Sequence, residues 1–91
     1  MLLRDAQEQT RILYAAQRNS RRGGGDPVTR HASEAAAILE TLVSEPTNWK
    51  QSIADPTRSV ALLTVGALGV ANELKVDSLK ALESFLVEKS P

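Results

Sequence analysis

The chain has no cysteine and a single histidine, His31. The first absence excludes a disulfide framework, a thiol nucleophile and cysteine-based zinc sites. The second excludes a multi-histidine metal site built by one chain. Aromatic residues are scarce, limited to Tyr14, Trp49 and Phe85, so the core has to come from Leu, Val, Ile and Ala. Alanine buries little area, and such helices pack closely with a modest gain per contact. No secretory signal is expected, because Arg4, Asp5 and Glu8 interrupt the early apolar stretch. The arginine-rich stretch 1–25 is loosely similar to a mitochondrial presequence, but its two acids and its fit to a structural helix favour a cytoplasmic placement.

What is present is a globular composition, 42% hydrophobic and 24% charged over 91 residues, which points to a single helical domain spanning 1–91. The net charge is zero but unevenly spread. Between residues 11 and 33 five arginines face Asp26 alone, whereas acids outnumber bases from residue 34 onward. The molecule is therefore dipolar along its sequence, which bears on partners rather than on fold.

The punctuation predicts an all-α fold, a small bundle of four main helices plus one short helix. Residues 2–19 lack Gly and Pro, and Leu3, Ala6, Thr10, Leu13 and Ala16 or Gln17 recur at three- and four-residue steps as the expected inner face. Ser20 to Pro27, with three consecutive glycines, ends that helix in a loop expected to be flexible over about 20–26. Asp26-Pro27 reads as an N-cap with proline at the first helical position, opening a helix that Glu45-Pro46 stops after Ser44. Its expected stripe is Ala32, Ala35 or Ala36, Leu39, and Leu42 or Val43. Residues 46–54 are expected to make about two turns capped by Thr47, with Trp49 and Ile53 inward. Asp55-Pro56 repeats the cap, and Asp77 caps a last helix to about Lys89 with Leu79, Leu82, Phe85 and Leu86 on one face.

The fourth helix carries no charge from Ser59 to Asn72. Fourteen residues are too few to span a membrane, which takes about 20, and a helix apolar on every side is a buried one. Gly66 and Gly69 each cost roughly 1 kcal/mol relative to alanine, which makes sense where another helix crosses closely. A few short helices have difficulty surrounding one of their number, so oligomerisation or an obligate partner is expected.

Residues 71–82 invite comparison with a helix-turn-helix, but the candidate recognition helix is net acidic. The Leu-x-Val-x-x-Leu-x-x-Leu cadence of that segment is similar to the closing helical pair of BTB-type adaptor domains. The likeness covers less than a third of the chain, the strands such a domain requires are not expected upstream, and no function is carried across. Asp77-Ser78-Leu79 resembles the attachment triplet of acyl carrier proteins, with too few residues after it for the rest of a carrier.

No nucleophile, base and orienting group can be assembled from spacing, and no metal or cofactor site is expected. His31 is expected at the surface. The expected function is a non-enzymatic protein–protein interaction module: a regulator, inhibitor, chaperone or assembly factor. It would dock an apolar face, Val60, Leu63, Ala67 and Val70 or Leu79, Leu82 and Leu86, on a partner or on itself. Arg11, Arg18, Arg21, Arg22 and Arg30 would orient an acidic partner or another anion. The alternative is a nucleic-acid-binding protein using the arginine-rich segment 11–30, although no aromatic is interleaved there for base stacking.

Overall fold

The computed structural model describes residues 2–20 and 26–90, and among them the fold is all-α. The glycine run and its neighbours Arg21 and Arg22, expected to form a flexible loop, lie outside the described residues. The helices are α1 (Leu3–Ser20), α2 (Pro27–Ser44), α3 (Trp49–Ser52), α4 (Pro56–Leu74) and α5 (Ser78–Lys89). No one of them is long and apolar enough to cross a membrane.

Three aspartates start three helices. Asp26 accepts from the Val28 and Thr29 amides, Asp55 from that of Arg58, and Asp77 from those of Leu79 and Lys80. Each satisfies amides that the first turn leaves without an intrahelical partner. The short element differs from expectation. Its N-cap is Asn48 without a side-chain bond, and it makes one turn rather than two. Thr47 is absorbed in the preceding turn, which closes when the Asn48 amide donates to the Glu45 carbonyl at 3.1 Å.

α4 ends where Lys75 takes a left-handed conformation, φ 58°, and its amide donates to the carbonyls of Ala71 and Asn72. The Val76 amide reaches back to Ala71 at 2.9 Å. Glycine is the usual occupant of this position.

α4 packs against both α1 and α2. It runs antiparallel to α2: Leu42 and Val60 line one cavity, and Gly66 lies against His31 and Ala35 a few turns along. α1 crosses the C-terminal half of α4, where Tyr14 meets Gly69. α5 turns 106° away from α4 and packs chiefly on α1.

The inner face of α1 keeps Leu3, Ala6, Thr10 and Gln17 as expected but takes Tyr14 in place of Leu13. Thr10 and Tyr14 are buried, at 6% and 2% exposure, whereas Leu13 is 45% exposed and Ala16 is also on the surface. The reason is the groove on α4: a methyl group built on Gly69 would sit 2.5 Å from a Tyr14 ring carbon, so the missing side chain is the seat of the ring. Burying one large ring in that notch outweighs burying Leu13. On α2 the inward line is His31, Ala35, Ile38 and Leu42, while Leu39 and Val43 are exposed.

The charge-free helix is covered on one side only, as the difficulty of surrounding it with a few short helices leads one to expect. Only Gly66, Leu68 and Gly69 of α4 are buried, because two neighbouring helices cannot encircle it. On α5 only Ser78 and Leu79 are partly covered, and every described residue from Lys80 onward is exposed. The radius of gyration is 14.8 Å, against about 12 Å for a compact chain of this length. The accessible surface is 6826 Å², where a compact chain of this mass exposes about 5,200 Å².

The two helical glycines should respond oppositely to alanine. At Gly66 the nearest atoms to an added methyl lie at 3.7 Å, an ordinary contact, so Gly66→Ala should raise stability by about 0.5–1 kcal/mol through helix propensity. Gly69→Ala drives a methyl into a buried ring and should lower stability by about 1–3 kcal/mol. Urea midpoints of both variants check this; equal shifts would contradict the notch. Lys75→Gly should raise stability by about 1 kcal/mol by removing the left-handed cost of a side chain, measured the same way.

Candidate functional site

Three contacts set the frame on which any surface is displayed. The Tyr14 hydroxyl lies 2.6 Å from His31 Nδ1 and 3.4 Å from the Val65 carbonyl, so one side chain of α1 reaches both α2 and α4. His31 is thus half-buried against a ring rather than on the open surface. Gln7 clamps the α4–α5 turn: its side-chain amide donates to the Val76 carbonyl at 2.8 Å and accepts from the Ser78 amide at 2.9 Å. Asn72 donates to the Gln7 carbonyl, and Arg4 pairs with Asp77 at 3.0 Å. Arg18 ties the end of α1 to the α2 cap and to α4, through Asp26 at 2.7 Å and Glu73 at 2.5 Å.

This frame leaves one side of the α2–α4 pair uncovered. Val60, Leu63, Ala67, Val70 and Leu74 repeat at alternating spacings of three and four and so share a face of α4. Val60 is 62% and Val70 is 41% exposed, and Leu63 is half-buried. Beside them on α2 lie Ala32, Ala36 and Leu39, which line the same shallow groove as Leu63, Ala67 and Val70. At the end near α3 the groove continues, through Leu63, into an apolar cavity of about 370 Å³ bordered by Ile38, Leu42, Trp49, Ile53 and Val60. Trp49 and Ile53 thus face this cavity, each half-buried.

The structure brings together four of the apolar residues singled out in the sequence, Val60, Leu63, Ala67 and Val70. It sets Leu79, Leu82 and Leu86 apart on α5, where Leu82 and Leu86 are 46% and 55% exposed. The arginines do not form a free patch among the described residues. Arg11 is paired with Glu8, Arg18 holds two carboxylates, and Arg30 donates to Gln17 at 3.1 Å. Arg21 and Arg22 lie outside the described residues.

Sequence reasoning missed Tyr14 and Gln7 as organising residues. A signal for Tyr14 existed, since two glycines in an aliphatic helix demand a large neighbour and aromatics are few. Gln7 gave none, because its partners are backbone groups of a distant turn. Among the described residues no group of three His, Asp or Glu is placed to hold a metal ion. Comparison with known protein families, with curated protein sequences and with solved structures returned no match.

The charges predict loss of stability at both ends of the pH scale. Burial raises the Tyr14 phenol above its ordinary value of 10.0. The folded state therefore resists its ionisation, and stability should hold below that value and fall as pH rises above it. The Arg18 hydrogen bond lowers the Asp26 carboxyl, and the Lys80 amide, ahead of Arg4, lowers that of Asp77. Their contribution is present above the ordinary aspartate range and lost as pH falls through the depressed values. Tyr14 is the chain's one tyrosine, so ultraviolet titration of phenolate absorbance reads it directly; ionisation at the free-tyrosine value in folded protein would contradict its burial.

Proposed function

We propose that this chain is a small helical protein–protein interaction module whose working surface is the α2–α4 face. The observation that carries the reading is the uncovered stripe Val60, Leu63, Ala67, Val70 and Leu74 alongside Ala36 and Leu39. Contiguous apolar surface of this kind is costly to leave in water and marks an interaction site. The groove between two antiparallel helices has the form that accepts an apolar helix face, with anchors at three- and four-residue steps. A regulator, inhibitor, chaperone or assembly factor acts by such docking alone. The arginines support nucleic-acid binding less well, because Arg11 and Arg18 already give their donors to carboxylates within the chain.

A photo-cross-linking residue placed in source cells at Ala67 tests the reading. A discrete adduct is expected from Ala67 and none from Gln9, an exposed position on α1. Its mass shows whether the captured molecule is another protein or a second copy. No adduct from Ala67 would sink the docking face.

A further inference from the structure

We infer that the occupant of the α2–α4 face is a second copy of this chain, related by a two-fold axis that passes beside Ala67. This rests on the reading of that face as a docking surface.

The first argument is area. The chain exposes 6826 Å², about 1,600 Å² more than a compact chain of its mass. A stable interface removes about 800 Å² from each partner, and Leu39, Val60, Val70 and Leu74, 51%, 62%, 41% and 69% exposed, put part of that excess on this face.

The second is charge. A two-fold axis sets a charge that lies beside the axis near its own copy, and like charges brought together there repel. The α4 face has no ionised group from Ser59 to Asn72, and the whole chain has zero net charge. Such a surface gives an acidic or basic partner nothing to select, and it can be laid on itself without penalty.

The third is the order of side-chain sizes. Along α4 the stripe reads Val60, Leu63, Ala67, Val70, Leu74. Reversed, it again reads large, large, small, large, large, with Ala67 at the centre. Two copies of α4 laid antiparallel therefore place Val60 against the partner's Leu74 and Leu63 against the partner's Val70. Ala67 meets the partner's Ala67, where the small side chains let the helices approach. Leu39 and Ala36 of α2 then flank the seam.

Because the chain has no cysteine, a single introduced thiol is a clean reporter. The purified wild-type chain should have about twice its 9.8 kDa mass by light scattering at micromolar concentration, with a Tm that rises with protein concentration. Under mild oxidation Ala67→Cys should cross-link to a dimer, because a residue beside the axis lies within the ~7 Å Cα separation a disulfide allows. Val87→Cys, exposed on α5, should not. Ala67→Glu should weaken association by about 100-fold or more, while Val87→Glu leaves it unchanged. A wild-type chain of 9.8 kDa at every soluble concentration overturns the dimer; the docking reading then stands on its own if Ala67 captures a different protein in cells, and falls with it if Ala67 captures nothing. A dimer that cross-links through Val87→Cys and not through Ala67→Cys overturns the assignment of this face. Wild-type mass and the cysteine pair decide the matter even where Ala67→Glu fails to fold.

Discussion

The structure hangs on one ring seated in one notch. Tyr14 leaves α1, fills the gap where Gly69 has no side chain, and reaches His31 on α2 with its hydroxyl. Three helices converge on that contact, and few other large side chains are deeply buried: Leu68 is the other large apolar one among the described residues. With so few aromatics the chain concentrates its packing there, while the alanines and valines of α2 and α4 bring the helices close without covering them. The choice of Tyr14 over Leu13 on α1 follows from this seat, and with it the inward placement of Gln7 one heptad earlier.

The four main helices and their aspartate caps were legible in the sequence because they are local, whereas the short α3 came out with another cap and half the expected length. Asp26-Pro27, Asp55-Pro56 and Asp77 each act through amides two or three residues away, and the text of the chain contains both partners. The close crossing at Gly69 was legible as a need, although which residue answers it was not. Periodicity on α1 admits Leu13 and Tyr14 about equally, and the choice is made by a groove more than fifty residues downstream. On α4 periodicity marked Val60, Leu63, Ala67 and Val70 as one face, but not which neighbours would cover the opposite one. A run with no charge has no charged side to turn outward, so only its neighbours decide which side stays open.

The two surfaces marked in the sequence fare differently once side chains are placed. The arginines of α1 and α2 are largely engaged inside the chain, where they join helix ends: Arg18 holds the α2 cap and the end of α4 together. Exposed pairs of this kind add little stability each, and the placement of α1 over α4 rests chiefly on Tyr14 at Gly69. The bare face is the one without charge. The covered side of α4 is held by the close contacts of Gly66, Leu68 and Gly69, with Glu73 near its end paired to Arg18.

The Gln7 clamp has a consequence for the order in which the chain can organise itself. Its hydrogen bonds span 69 and 71 residues, and the neighbouring Arg4–Asp77 pair spans 73. Closing loops of that length is entropically costly and slow relative to forming a local helical hairpin. α2 and α4 can pair across the short connection that holds α3, whereas α1, which touches α2 through Tyr14 and Arg18, gains its seat at Gly69 only with α4 and its lock only with the turn after it. Of the five described helices α1 precedes every partner it docks on, and its tyrosine has no glycine seat until α4 has been translated.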